Sequence, residues 1–544
     1  MRDGAVSFGI VGKLSVFLSP HCPEAVSQDG LHPHISVRHV ASLSRILDSV
    51  RRHPFVYISL LVFPAAILYG RYVYSPLDDT YIFLVYAKNF LEGHGLTYNG
   101  ALVEGYSSPL WLGILAILGL TRIPLPTLAE VLSTVSGLSV LLTTYVLGFQ
   151  VMRSRLGAFI PVVLLASTGD FVFYMSVGME QVLFTSLVVL CVLAGCYSDN
   201  KHPWIMLLLM TVMVLLRPEG LLFAALVLAM QSIRQRSVLR SAWQGLALCT
   251  ALLPFIALRW HVCGTLLPNT YFVKSGLGLA NLPQGLEYMA SARTRYGPAM
   301  LVLAGLFGLS VLTARDKALR ILPLLFISIS WLLYVTAQGG DNFPGGRMYL
   351  PVVPLLFTAL AALFAHFPRH RASVWLTGAL VLSLVAGYLG DQQTLDTVAA
   401  ERTLFTIRYN AAQYLRTHFP QDTLIALNPA GVIPYYSGMR TIDMLGLNDF
   451  HIAHHGRRDL SLPYAHQAGD GPYVLRRSPD IILLGNAASL LPAPFVSDQG
   501  IWSSGAFHKD YAPVQWPNIG WAYVRVASAG YRETASMPAV QRPH

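Results

Sequence analysis

A long series of apolar segments sets the strongest limit on what this chain can fold into. Between residues 54 and 390, one apolar segment follows another, and the Lys and Arg residues lie largely in the short loops between them. Over all 544 residues, 54% are hydrophobic and only 12% are charged, with a mean hydropathy of +0.50. A soluble domain carries about a quarter charged residues. The sequence therefore predicts a polytopic α-helical membrane protein.

We expect about eleven transmembrane helices, although several apolar segments are shorter than the ~20 residues of a straight span. The stretch 203–231 is interpreted as two short helices, because a single helix would break the alternation of basic loops. The stretch 109–121 is predicted to be an interfacial helix. The predicted spans are 54–74, 128–150, 157–168, 180–196, 203–216, 219–231, 243–259, 298–313, 320–338, 349–366 and 374–390.

The distribution of basic residues predicts the orientation. Arg51 and Arg52 precede the first span, and alternate loops after it are also basic, as expected of cytoplasmic loops. The net charge of +10 is therefore attributed to topology, and no nucleic-acid partner is predicted. The polar clusters rich in Gly, Pro, Asp or Arg all fall on the opposite face. These features predict a multi-pass protein of the cytoplasmic (inner) membrane, in contact with membrane lipids, whose active site faces the periplasm.

The chain divides into three predicted regions: a cytoplasmic tail at 1–53, a transmembrane domain at 54–390 and an extracytoplasmic α/β domain at 391–544. The first outer loop is 75–127. In the C-terminal region, a predicted helix at 393–418 precedes short apolar runs at 424–427, 440–445, 479–484 and 521–526, separated by turn residues. None of the five cysteines lies after residue 390, so no disulfide is expected in this domain.

Two adjacent carboxylates, Asp78 and Asp79, stand where the first apolar span ends. At a partly dry membrane boundary, the pKa of a carboxylate rises, which suits a general base. The competing interpretation is that the pair only favours the N-terminus of a helix that begins at Thr80. Because ionisable groups at membrane depth are functional by default, we predict a catalytic role for the pair.

Several motifs follow the acidic pair in a fixed order and on the same predicted face. Together they resemble the GT-C glycosyltransferases, which are membrane enzymes that use polyprenyl-phosphate sugars. The closest similarity is to the arabinofuranosyltransferase-like branch, which includes a pilin arabinosyltransferase and the actinobacterial terminal arabinofuranosyltransferase. The motifs are GHGL at 93–96, EGYSSPLW at 104–111, GME at 178–180, RPEG at 217–220, LPNT at 267–270, GGD at 339–341 with Arg347, PYYSG at 434–438, ID at 442–443 and GLND at 446–449.

The resemblance implies transfer of one sugar, D-arabinofuranose, from a polyprenyl-phosphate donor to an envelope glycan or to a pilin or other secreted protein. It favours Asp78 as the base, with Asp79 orienting the acceptor or binding a cation. Two alternatives stay open: the same chemistry with a hexose or aminoarabinose donor, and a flippase or exporter of lipid-linked sugars. The chain lacks a Walker loop and a G-x-G-x-x-G unit, in agreement with a lipid-phosphate donor.

Three basic residues are candidates for binding the donor phosphate: Arg217, Arg347 and Lys274. A guanidinium can bind a phosphate bidentately and stabilise charge on the leaving oxygen. For Arg217, an ion pair with Glu180 or Glu219 is an equally good explanation. For Lys274, snorkelling towards the membrane interface is the simpler explanation.

The remaining site candidates are assigned to sugar or acceptor binding: Glu104, Tyr106, Asp341 and Tyr435. Each has a structural alternative, which is pinning of a loop for the two carboxylates and core packing for the aromatic rings. His451, His454 and His455 have a spacing that suits a metal on a helix, but no carboxylate partner is evident, so no metal site is predicted. No cofactor is assigned, and the need for a divalent cation is left open.

Overall fold

The computed structural model describes residues 76–198, 202–274, 281–313, 315–341, 343, 345–364, 370–462 and 466–527. The predicted cytoplasmic tail and the first predicted span, 54–74, lie outside these residues. Each of the other ten predicted spans contains an observed helix.

The helices of the membrane region follow one another with short connections. They are α1 (Asp78–Leu91), α2 (Pro109–Gly119), α3 (Leu125–Met152), α4 (Phe159–Ala166), α5 (Gly169–Tyr174), α6 (Gln181–Val192), α7 (Pro203–Leu216), α8 (Gly220–Gln235), α9 (Val238–Cys263), α10 (Asn269–Lys274), α11 (Leu282–Ser291), α12 (Arg293–Thr313), α13 (Arg315–Gln338), α14 (Val353–Phe364) and α15 (His370–Leu389). A π-helical turn, Leu193–Tyr197, extends α6.

Four helices among the described residues are long and apolar enough to cross a membrane, judged by length and composition. They are Leu125–Met152, Val238–Cys263, Arg293–Thr313 and Ala318–Gln338. Six further apolar helices have 10–17 residues and include Pro109–Gly119, the predicted interfacial helix. The fold is therefore mostly helical, with candidate membrane spans. The count of eleven spans stays a prediction.

The C-terminal region contains a mixed sheet, as the alternation of apolar runs and turns predicts. A long helix, α16 (Gln392–His418), precedes it. The strands are β1 (Leu424–Leu427), β2 (Arg440–Asp443), β3 (Arg457–Arg458), β4 (Ala468–Gly469), β5 (Ile481–Leu483), β6 (Tyr511–Trp516) and β7 (Gly520–Arg525), and the helices are α17 (Val432–Ser437), α18 (Phe450–His455), α19 (Gly471–Arg476), α20 (Val496–Trp502) and α21 (Gly505–Asp510).

The main sheet has the strand order β2-β1-β5-β7-β6. Strands β1, β2 and β5 are parallel, and β6 and β7 form an antiparallel hairpin beside them. The connection from β1 to β2 passes through α17, so the loop at the carboxyl end of β1 leads directly into this short helix. In parallel α/β sheets, ligand-binding residues gather at such carboxyl ends. Helix α17 packs against α1, the helix that carries the acidic pair.

Candidate active site

The acidic pair begins α1, where carboxylates in the first turn favour the helix dipole. The observed helix begins at Asp78 itself rather than at Thr80. The Asp78 carboxylate reaches a different helix: its two oxygens accept the backbone N–H groups of Gly431 and Val432, each at 2.9 Å. These amides belong to the start of α17. Asp78 therefore caps a helix that lies more than 350 residues away in the sequence.

Asp79 and Lys274 are charged side chains that the described part of the chain leaves without a partner. No described residue forms a hydrogen bond or an ion pair with either side chain. Burial raises the pKa of Asp78, although Arg408 and the two amides oppose the rise. Burial lowers the pKa of Lys274, and Arg347 lowers it further, whereas Asp79 opposes the change. The ammonium donors of Lys274 are therefore open to an anionic ligand, whose charge would favour the protonated lysine.

Three adjoining spaces surround these groups, and we call them together the central cavity. The first, about 140 Å³, is walled by both aspartates and by residues 428–430 of the C-terminal domain. The second, about 30 Å³, joins Asp79 to Arg217 and Arg347. The third, about 420 Å³, extends from the arginines. Lys274 lines all three spaces, so it lies at their junction.

The two candidate phosphate-binding arginines are held by carboxylates. Arg217 donates to Glu180 at 2.6 Å and to Glu219 at 2.9 Å. Both acidic partners are the ones that the sequence offered as the structural explanation for Arg217. A guanidinium has five N–H donors, so these pairs leave some of them available for a ligand.

Arg347 forms a bidentate pair with Asp341, at 2.8 and 2.7 Å, and lies over the ring of Phe343 at 4.0 Å. Asp341 also lines the central cavity. Its carboxylate is therefore engaged by Arg347, and its proposed role with sugar stays a prediction.

Glu104 is also paired, and its partner was missed in the sequence. Arg259 donates to both carboxylate oxygens, at 2.6 and 2.8 Å. The Glu104 carbonyl accepts the N–H of Asn269 at 3.0 Å. The signal for Arg259 was its position in a predicted apolar span, 243–259, where an arginine needs a partner. This geometry favours the loop-pinning explanation of Glu104.

The two aromatic candidates lie in different places. Tyr106 lines the second space of the central cavity and packs edge-on against Tyr86, with ring centroids 4.9 Å apart. Tyr435 does not line the central cavity. It borders a separate cavity on the other side of α17 and packs against Tyr81 and Tyr436. The structure therefore joins Tyr106, but not Tyr435, to the acidic pair.

Two further residues of the central cavity come from the C-terminal region and carry no local motif. Arg408 donates to the carbonyl of Asn486 at 3.1 Å and pairs with Glu401 at 3.3 Å. His466 lines the same space as Asp78 and Asp79. Burial lowers the pKa of His466, and Asp79 opposes this effect. Only the folded chain brings these side chains to the cavity, so no local pattern in the sequence predicted them.

The histidine group lies away from the central cavity. His451 pairs with Asp470 at 3.0 Å and stacks on Tyr473, and His454 stacks on Phe272. Among the described residues, no group of three or more His, Cys, Asp or Glu side chains could hold a metal ion. Asp170 is fully buried and forms an ion pair with Arg295 at 2.6 Å.

Comparison with known proteins finds solved structures of similar fold. A family model described as "Domain of unknown function (DUF8728)" matches residues 396–536. No curated protein matches the chain in sequence. Two solved structures of ArnT from Cupriavidus metallidurans match at 14% identity, each with a TM-score of 0.50. The apo structure covers 74% of this chain and 86% of ArnT, and the structure bound to undecaprenyl phosphate covers 72% and 85%. At this identity the similarity shows a shared fold: this chain has an ArnT-like polytopic membrane fold.

Proposed function

We propose that this protein is a membrane glycosyltransferase that transfers a sugar from a polyprenyl-phosphate donor to an acceptor of the cell envelope on the periplasmic side. One observation carries the proposal: two carboxylates and an unpaired lysine share a cavity that also reaches two arginines. This set provides a base and a phosphate-binding group within one space. The first candidate acceptors are an envelope glycan and a pilin or other secreted protein.

Asp78 is the proposed base. It lines only the space walled by the C-terminal domain, which is where an acceptor can approach. Its two amide hydrogen bonds fix the carboxylate, and each oxygen retains a further lone pair for a proton. The raised pKa brings its basicity closer to that of an acceptor hydroxyl than an exposed carboxylate would have.

In the proposed step, the acceptor oxygen forms a bond to the anomeric carbon as its proton passes to Asp78. The bond between the anomeric carbon and the phosphate oxygen breaks, and its electron pair leaves with the polyprenyl phosphate. Lys274, without a protein partner, neutralises this charge, assisted by the remaining donors of Arg217 and Arg347. Asp79 lines both the space beside Asp78 and the space beside the two arginines, and it orients the acceptor or the sugar.

The third space of the cavity suits the lipid part of the donor. Apolar side chains form part of its lining, among them Leu222, Leu267, Tyr334 and Met348. ArnT, whose fold this chain shares, has been crystallised with undecaprenyl phosphate. A phosphate at Lys274 with its chain along these residues would place the sugar beside the acidic pair.

The donor sugar is proposed from the sequence resemblance to be D-arabinofuranose. A hexose or aminoarabinose donor keeps the same chemistry and changes only the groups around the sugar. A flippase or exporter of lipid-linked sugars is the alternative from another class, and in it the acidic pair would gate movement instead of reacting.

The test is mass spectrometry of polyprenyl lipids that copurify with Asp78→Asn, compared with wild type and with Asp422→Asn, an exposed aspartate of the C-terminal domain. A transferase without its base should retain a lipid-linked sugar, and the mass identifies a pentose, a hexose or an aminopentose. Transfer in membranes should fall by about 10²–10⁴-fold for Asp78→Asn and stay unchanged for the control.

Two results would contradict the proposal. If wild type and Asp78→Asn both copurify without lipid-linked sugars, and neither protein consumes such lipids in membranes, the protein is not a transferase. If Asp78→Asn lowers the amount of donor on the outer leaflet instead of raising it, the flippase explanation is correct.

A further inference from the structure

A second cavity, about 500 Å³ in volume, lies between the end of α1, the turn at 92–100 and residues 434–440 of the C-terminal domain. We call it the outer cavity. It shares no lining residue with the central cavity. Its volume falls within the range of about 300–1,000 Å³ that is typical of small-molecule sites.

The walls of the outer cavity are fixed by hydrogen bonds between the first outer loop and the C-terminal domain. The Asn99 side-chain amide donates to the Thr441 carbonyl, and its oxygen accepts the Thr441 N–H at 2.9 Å. Tyr98 donates to the Ala430 carbonyl at 2.9 Å. Within the loop, Asn89 donates to the carbonyl of Thr97 at 2.7 Å. A cavity held in this way needs little ordering when a ligand binds.

The lining combines cations, a carboxylate and an aromatic ring. Lys88 donates to the Tyr435 carbonyl at 3.2 Å, and its ammonium lies 5.7 Å from the centroid of the Tyr435 ring. The Arg440 side chain is exposed and has no hydrogen bond or ion pair with a described residue. Glu92, which follows the last turn of α1, adds a carboxylate to the lining. Mixed donors and acceptors around a ring suit a ligand rich in hydroxyl groups better than an apolar one.

Helix α17 separates the two cavities. Residues 428–430, just before it, line the central cavity, and Pro434 and Tyr435 line the outer cavity. A helix of six residues is only ~9 Å long. A chain that enters the outer cavity can therefore extend past α17 towards the carboxylate that the amides of this helix hold.

We propose that the outer cavity binds a glycan chain, namely the part of the acceptor that lies behind the hydroxyl being glycosylated. This assignment rests on the proposed transferase function, and it makes the acceptor a polysaccharide or oligosaccharide. The Tyr435 ring is the stacking surface for a sugar, and Lys88 and Arg440 donate to its hydroxyls.

The experiment is affinity electrophoresis of the purified full-length protein in native gels that contain polysaccharide extracted from the envelope of the bacterium that encodes it. Arg440→Trp fills the cavity from an exposed position, and Lys88→Met removes the ammonium from the lining. Arg416→Trp is the matched control, because Arg416 is exposed on α16 and lines none of the cavities described above. Thermal unfolding verifies that each variant is folded.

We expect the polysaccharide to retard wild type and Arg416→Trp equally, and the apparent Kd to rise about tenfold or more for Arg440→Trp because the ring occupies the site. Lys88→Met should weaken binding in the same direction. Wild type that is not retarded, or both cavity variants retarded as strongly as wild type, would overturn the assignment. Binding is measured without donor, so failure of the transferase proposal appears separately, as absence of donor consumption.

Discussion

The contact between Gly431 and Asp78 provides the sharpest test of how the C-terminal domain positions the proposed base. A Cβ atom at Gly431 would lie 1.9 Å from the backbone oxygen of Asp78 and 3.0 Å from its Oδ2. The first distance is to backbone, which no rotamer change can relieve. Gly431→Ala must therefore move α17 away from α1 or break the amide hydrogen bonds to the carboxylate.

The expected loss of stability follows from these two routes. Overpacking of this kind costs about 1–3 kcal/mol, and a hydrogen bond to a charged group contributes about 1.5–3 kcal/mol. The routes are alternatives, so we expect a loss of about 3 kcal/mol. In a domain of about 150–250 residues, a loss of this size lowers the unfolding midpoint by about 6–12 °C. Because misplacing a catalytic group by 1 Å can cost about 10²-fold, kcat/KM should fall by about two orders of magnitude.

The assay combines thermal unfolding in detergent with transfer of a labelled sugar from its polyprenyl phosphate in membranes. Gly505→Ala is the matched control, because a Cβ atom there meets nothing within 4 Å. Activity of Gly431→Ala within about twofold of wild type at the same expression level would refute the argument, since an effect that small is less than 1 kcal/mol.

Three further outcomes follow from the charged groups. Glu104→Gln should destabilise the fold by about 3–5 kcal/mol because it leaves the Arg259 charge buried without its partner, and the double variant with Arg259→Met should recover much of the midpoint in thermal unfolding. Lys274→Met should raise the KM for the lipid donor about tenfold with a smaller change for Lys274→Arg, because the loss of one charge-assisted phosphate contact is of this order, and donor titration measures it. Burial raises the pKa of Asp443 from 3.8 to about 7, so its stabilising contribution is full below pH 4 and is lost as the pH rises through about 7. Unfolding midpoints at pH 5 and pH 8 should therefore differ more for wild type than for Asp443→Asn, and an equal difference would contradict this origin.

Much of the helical architecture was predictable because apolar runs and turn residues act locally. The predicted segment 243–259 corresponds to α9, Val238–Cys263. The helix extends beyond the prediction at both ends, and local contacts explain where it begins and ends. The Ser237 side chain accepts the N–H of Arg240 at its start, and Gly264 takes a left-handed conformation at its end. The prediction of the helix was confirmed, and only its boundaries moved.

One strand of the C-terminal sheet escaped prediction. Strand β6, Tyr511–Trp516, contains Pro513 and lies in a stretch without a clear apolar pattern. It is one of the two edge strands of the main sheet and pairs only with β7, and an edge strand tolerates a proline because one of its sides needs no hydrogen bonds. The missing apolar pattern explains why β6 was not predicted, because β2 at the other edge of the sheet coincides with the predicted apolar run at 440–445.

For the candidate site, the sequence predicted which residues take part but not all of their contacts. The sequence indicated the charged residues and grouped them on one face, and the structure brings Asp79, Lys274, Arg217 and Arg347 around one cavity. The sequence indicated the acidic partners of Arg217, but it could not indicate every pair of charges. Arg217 has its neighbour Glu219 in the same motif, whereas Glu104 pairs with an arginine 155 residues away. Pairing at such distances depends on tertiary packing, on which local patterns carry no information.

The contacts of the C-terminal domain argue against its being a separate binding module attached to a complete enzyme. The Asp78 carboxylate takes both of its hydrogen bonds from α17, and Tyr86 of α1 donates to the Asn448 side chain at 3.0 Å. Asn269, at the start of α10, donates to two carbonyls of the loop before Asn448. Two helices of the membrane region, α1 and α10, thus depend on residues 431–448 of the domain for their positions. If Asp78 is the base, the element that borders the outer cavity also orients the reacting carboxylate, so acceptor binding and catalysis are joined through the same short helix.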